Sequence, residues 1–170
     1  MMIRLLPAGL AAAALALASL PAAAGPADIA MLQSYIGSYS GSSVISGGTK
    51  PQNVKCRLDL AGGNSRDKVT YNGRCSVEGA TFSLTGVFAF VGNHYEAAMT
   101  TTSGISANVV GQKQGGGVVF SSKQHDTSQG GDRTVSSTLA LAGGKIRVDF
   151  SILDNKTGKT TTGSIPFSKS

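Results

Sequence analysis

The side chains able to do chemistry in this sequence are few, and most are spaced so that they cannot act together. Its two histidines, His94 and His125, fall in separate turn regions. Neither has a partner at His-x-x-x-His or Glu-x-x-His spacing, so a zinc site has no ligand set, and no metal or cofactor is expected. His94 and Glu96 share one face of an extended segment, either as a weak acid–base or ligand pair or as two solvated residues. His125-Asp126 closely follows Ser121-Ser122, which are residue types used in nucleophilic catalysis. No Gly-x-Ser-x-Gly elbow presents either serine, however, and adjacent residues of a strand point to opposite faces. The runs Gly62-Gly63 and Gly115-Gly116-Gly117 lack a following Gly-Lys-Ser/Thr and read as turns rather than phosphate loops. No catalytic set emerges, and the chain is expected not to be an enzyme.

Two constellations suit binding instead. Lys55, Arg57, Lys68 and Arg74 take outward positions around the two cysteines, as an anion-facing patch beside Asp59 or a solvated basic face. Tyr71, Phe82, Phe88, Phe90, Tyr95, Phe120 and Phe150 have inward parity. They either fill a core or line an apolar cavity for a lipid or another small molecule.

The stretch from Cys56 to Cys75 positions the first set. Val54, Cys56, Leu58 and Leu60 alternate with Lys55, Arg57 and Asp59; Val69, Tyr71, Gly73 and Cys75 alternate with Lys68, Thr70, Asn72 and Arg74. Such alternation marks half-buried antiparallel strands. Positions 56 and 75 average to 65.5, inside the turn-forming Gly62-to-Asp67 segment, so a hairpin centred there sets Cys56 opposite Cys75. The same register puts Leu58 against Gly73, Leu60 against Tyr71 and Arg57 against Arg74. Opposed cysteines lie close enough for a disulfide, and like charges held opposite each other cost stability.

Residues 1–24 read as a cleaved secretory signal: Arg4, the apolar run Leu5 to Leu20, then the small-residue site Ala22-Ala23-Ala24. Export to the periplasm or beyond agrees with two cysteines forming one disulfide. Cleavage would lower the formal charge from +6 to +5, mildly basic, and leave no membrane span. Nucleic acid is not an expected partner in that compartment.

The remainder is one domain. Residues 25–33 form a lead segment with a short helical turn over Pro26 to Leu32, and residues 34–170 a single β domain starting with a strand at Ser34. Phe82, Leu84, Phe88 and Phe90 share one parity, with Gly86 as a bend among them; Tyr95, Ala97 and Met99 share the next. Ile105, Ala107 and Val109, then Val118 and Phe120, continue the rhythm up to a polar loop from His125 to Asp132. Val135 to Leu141, Ile146 to Ile152 and Thr161 to Phe167 complete it, with Gly158 in the last hairpin loop and Pro166 confined to an edge or strand end. The pattern predicts an all-β antiparallel meander of about eight to ten strands, closed into a small barrel or packed as a β-sandwich. Small inward residues (Gly73, Gly86, Ala97, Ala107, Gly163) favour the tightly curved barrel.

Tyr39-Ser40-Gly41-Ser42, Val54-Lys55-Cys56-Arg57 and Gly73-Arg74-Cys75-Ser76 resemble the motifs of a family of small exported proteins of alphaproteobacteria, whose members generally carry Trp in place of Tyr39. The resemblance implies a periplasmic barrel and no particular activity. Gly37-Ser38-Tyr39 after a helical turn is also similar to the Gly-x-Trp start of lipocalin-like barrels, among them bacterial periplasmic metalloprotease inhibitors with an early disulfide. Three expectations follow: a non-enzymatic exported barrel contacting a cell-envelope component; a carrier of a small apolar ligand; or a protease inhibitor whose segment Gly25 to Leu32 enters the protease cleft.

Overall fold

The computed structural model describes residues 24–170 except 49, 103, 105, 128 and 129. The expected signal sequence therefore lies outside the described residues but for Ala24, as does Ile105. A helix, α1 (Ala24–Ser34), precedes ten strands: β1 (Gly37–Ile45), β2 (Gln52–Gly62), β3 (Lys68–Val77), β4 (Ala80–Val91), β5 (His94–Thr101), β6 (Ser106–Gln114), β7 (Gly117–Asp126), β8 (Arg133–Ala142), β9 (Lys145–Asp154) and β10 (Thr160–Lys169). Each strand pairs antiparallel with the next, and β10 returns to β1, so the meander is a closed barrel rather than a sandwich. Closure removes the exposed strand edges that an open sheet would present. No described helix is long and apolar enough to cross a membrane.

The cysteine arithmetic holds throughout the β2–β3 hairpin. Cys56 faces Cys75, Leu58 faces Gly73, Leu60 faces Tyr71 and Arg57 faces Arg74. The disulfide is formed, with the two Cα atoms 4.1 Å apart, the close approach of a non-hydrogen-bonded pair. Inside the barrel the rings of Tyr71 and Phe88 stack at 4.5 Å and those of Phe88 and Phe120 at 5.3 Å, while Phe90 meets Tyr95 edge-on at 5.0 Å. Gly86 makes room for this stack. It lies opposite Tyr71, and a Cβ there would come within 2.4 Å of the tyrosine ring and 2.1 Å of the Ala98 carbonyl oxygen. Tyr71 Oη donates to that same carbonyl at 3.0 Å, so the polar end of the buried ring is satisfied.

Four sequence expectations are corrected. The lead helix is longer than the turn expected over Pro26 to Leu32, and the first strand starts at Gly37, not Ser34. The amides of Tyr35 and Ile36 donate back to Leu32 and Gln33, which closes the helix and uses residues expected in the strand. The strand β7 runs on through His125 to Asp126, shortening the loop expected from His125 to Asp132. Pro166 is not at a sheet edge, since β10 pairs with both β9 and β1. It stands one residue beyond the last consecutive β1·β10 pair, Gly41 with Phe167, so its missing N–H falls in that seam. Pairing resumes only at the single bridge Ser46–Thr162, in the same register.

The helix α1 sits on one end of the barrel, held by its own polar group. Asp28, only 8% exposed, accepts hydrogen bonds from Tyr95 Oη at 2.6 Å and from Lys113 Nζ at 2.8 Å. Burial alone would push its carboxyl upward, but the bonds from Lys113 and Tyr95 outweigh this and hold it below the ordinary range. Leu32 and Tyr35 complete the plug from the apolar side, and Gln33 Nε2 donates to the Arg66 carbonyl in the β2–β3 turn at 2.8 Å.

Candidate functional site

The outward residues of five adjacent strands form two parallel rows of short polar side chains with cations among them. One row runs Ser168–Ser40–Arg57–Arg74–Ser83 across β10, β1, β2, β3 and β4, each residue directly paired with the next. The second runs Ser42–Lys55–Ser76–Thr81 on the same face, two residues further along each strand, with Pro166 beside Ser42 in the continued register. The short serine side chains leave the floor low while Lys55, Arg57 and Arg74 stand among them. The result is a groove of about 880 Å³ on what would otherwise be a convex wall.

Its charge is one-sided. No aspartate, glutamate or histidine lines the groove, and among the described residues no ion pair or hydrogen bond engages the side chains of Lys55, Arg57 or Arg74. The acids nearest in register are occupied elsewhere. Ser38 Oγ donates to Asp59 at 2.5 Å, while Glu78 takes Lys50 at 3.5 Å and Gln52 at 3.2 Å. Beneath the floor the Cys56–Cys75 bridge ties β2 to β3 and so fixes Arg57 against Arg74.

The structure brings three of the four expected basic residues together and leaves the fourth apart. Lys68 pairs with Ala89 at the far end of β3. There it borders a separate, mostly apolar depression of about 460 Å³ with Val87, Val91, Glu96 and Val110. The hydroxyl residues Ser40, Ser42, Ser76, Thr81 and Ser168 were not anticipated as site residues. Their outward parity is readable in the sequence, but their adjacency to the arginines depends on which strands are neighbours.

Among the aromatic residues, Tyr71, Phe88, Phe90, Tyr95 and Phe120 are buried and fill the barrel against one another. Phe150 is half-buried opposite Gly163. Phe82 is a correction: it is 42% exposed. It has inward parity, but the β4·β5 ladder begins only at Leu84–Thr101, so no neighbouring β5 pair covers it. A pocket between Phe88, Phe120, Met99, Ser122 and Leu139 is about 50 Å³, well short of the roughly 300 Å³ at which small-molecule pockets begin.

The remaining chemical candidates stay apart. His94 Nε2 meets Glu96 Oε1 at 2.7 Å with both side chains 48% exposed. His125 contacts Asp132 at 3.6 Å on the surface, while Ser122 Oγ meets Ser137 Oγ at 2.8 Å and Ser121 Oγ meets Thr138 Oγ1 at 3.4 Å. Neither serine has a histidine in reach. The segment Gly25 to Leu32 is helix seated on the barrel with Asp28 and Leu32 buried, not the free arm an inhibitor would insert.

No protein-family model matches the sequence, and no curated protein sequence matches it. Solved structures do resemble the fold. The structure of Rv2717c from M. tuberculosis superposes with a TM-score of 0.63 at 14% identity, covering 84% of this chain and 97% of that one. That of the S-type phycobiliprotein lyase CPES from Guillardia theta gives 0.54 at 11% identity, covering 83% and 92%. Both likenesses are to the barrel fold.

Proposed function

We propose that this protein is a non-enzymatic, exported barrel that binds an anionic component of the cell envelope in the groove over the disulfide. The observation that carries this reading is the cluster of Lys55, Arg57 and Arg74, unpaired and with no acid in the lining. Like charges in register destabilise a sheet face, and an anionic ligand turns that cost into binding energy. Export is supported by the signal-like sequence of residues 1–24 and by the disulfide, which persists in oxidising compartments. The non-catalytic part rests on the groove's composition, in which hydroxyls and cations have no general base beside them.

The test is retention of the purified protein on anionic envelope material at low and high salt. Wild-type protein should be retained at low ionic strength and released by salt, and the variant Arg57→Ala with Arg74→Ala should wash through at both. Equal retention of wild type and variant would refute the groove as the contact.

A further inference from the structure

We infer that the groove recognises phosphoryl groups, as a phosphate monoester or diphosphate carried on a hydroxylated scaffold. This deepens the anion-binding reading and rests on it. Three features of the groove select the class. First, three cations without a counter-ion are best matched by a ligand bearing two or more negative charges at one point, which a single carboxylate does not supply. Second, Arg57 and Arg74 are directly paired, with Lys55 two residues along β2 from Arg57, so the donors approach from three corners. A phosphoryl group offers three acceptor oxygens in a non-planar array, and the guanidinium fork matches two of them at a time. Third, the remaining polar side chains of the lining are all hydroxyls. Ser40, Ser42, Ser76 and Ser168 both donate and accept, which suits sugar or glycerol hydroxyls. No aromatic ring and no long aliphatic side chain lines the groove, so it lacks a platform for a neutral sugar to stack on and a slot for an acyl chain.

The groove also straddles a thinly paired seam of the barrel. The strands β1 and β10 are joined by three consecutive pairs and one isolated bridge, whereas β2 and β3 share nine. A ligand reaching from Ser168 on β10 to Arg74 on β3 spans that seam and ties β10 to the disulfide hairpin. Occupancy therefore raises thermal stability as well as filling the site.

Calorimetric titration with inorganic pyrophosphate and with citrate, compared at equal ligand charge, tests the class. Pyrophosphate should bind at least ten-fold tighter than citrate and raise the melting temperature. Arg57→Ala with Arg74→Ala should lose at least ten-fold in affinity together with the thermal shift, while Lys68→Ala, outside the groove, keeps both. Equal binding of citrate and pyrophosphate would overturn the phosphoryl inference and leave the anion-binding reading standing. Binding of neither at low salt, with no retention on anionic envelope material, would overturn both. Co-sedimentation with phosphatidylcholine vesicles containing phosphatidic acid separates the two sources of the group. Sedimentation with these vesicles supports a lipid headgroup, and pyrophosphate binding without sedimentation supports a soluble phosphorylated ligand.

Discussion

Arg57 stands directly opposite Arg74 across β2 and β3, one position along each strand from the Cys56–Cys75 bridge. Two cations are thus held together by a covalent link between their neighbours, in a groove whose lining holds no acid. A sheet optimised only for stability would place opposite charges or a Thr pair at such a position.

Arg57→Ser is accordingly expected to stabilise the ligand-free protein by roughly 0.2–1 kcal/mol. Urea denaturation followed by circular dichroism measures this as a higher midpoint at an unchanged slope. A lower midpoint would mean that Arg57 supports the fold.

Cys56→Ser with Cys75→Ser opens a loop whose ends are 19 positions apart. The expected loss is about 3 kcal/mol, or a melting temperature lower by roughly 6–12 °C. Scanning calorimetry of the double variant checks it, and reducing the wild type should give a comparable drop.

Acid should weaken the seating of α1. The Asp28 carboxyl is held below its ordinary value by Lys113 and Tyr95 against the opposing effect of burial. The unfolded chain therefore takes up the proton first. The stabilisation is complete above the ordinary value of about pH 4 and is lost as pH falls through the lower folded value. Asp28→Asn should flatten this acid limb, read from stability measured between about pH 6 and pH 2.

Alkali acts through the core. Burial pushes the Tyr71 hydroxyl up to about 12. Its contribution is present in full below the ordinary value of about 10 and is lost as pH rises toward the folded value. Burial raises all four tyrosines, Tyr35, Tyr39, Tyr71 and Tyr95. Near-ultraviolet titration of the folded protein should therefore show no phenol ionising at the ordinary value near pH 10, and Tyr71 ionising only near 12 or on unfolding.

Two of the three phenylalanines that share one parity on β4 should respond differently. Phe88 is 1% exposed within the ring stack, and Phe88→Ala is expected to cost about 3–5 kcal/mol. Phe82→Ala, at the uncovered end, should cost less than about 1 kcal/mol. Equal losses in parallel denaturation curves would place Phe82 in the core after all.

Parity along each strand and the register of the disulfide hairpin were legible in the sequence, because side-chain alternation and cysteine pairing are local. They were enough to set Leu60 on Tyr71 and Arg57 beside Arg74, and to mark Gly86 and Gly163 as places where the wall bends tightly. The fate of Phe82 was not legible, since its exposure depends on where the neighbouring strand β5 stops pairing. The ties of Asp28 to Tyr95 and Lys113 span 67 and 85 positions, and no local pattern announces them.

The sequence by itself determined which residues face outward and which two strands the cysteines join, because a period of two and a covalent bond need no knowledge of distant neighbours. Only the tertiary structure decided that the meander closes between β1 and β10. Closure sets Ser168 and Pro166 beside Ser40 and Ser42, next to Lys55 and Arg57, and leaves Lys68 on another part of the wall. The physical reason is that a groove across five strands is a property of lateral order, which follows from burying every inward face at once and not from any one segment.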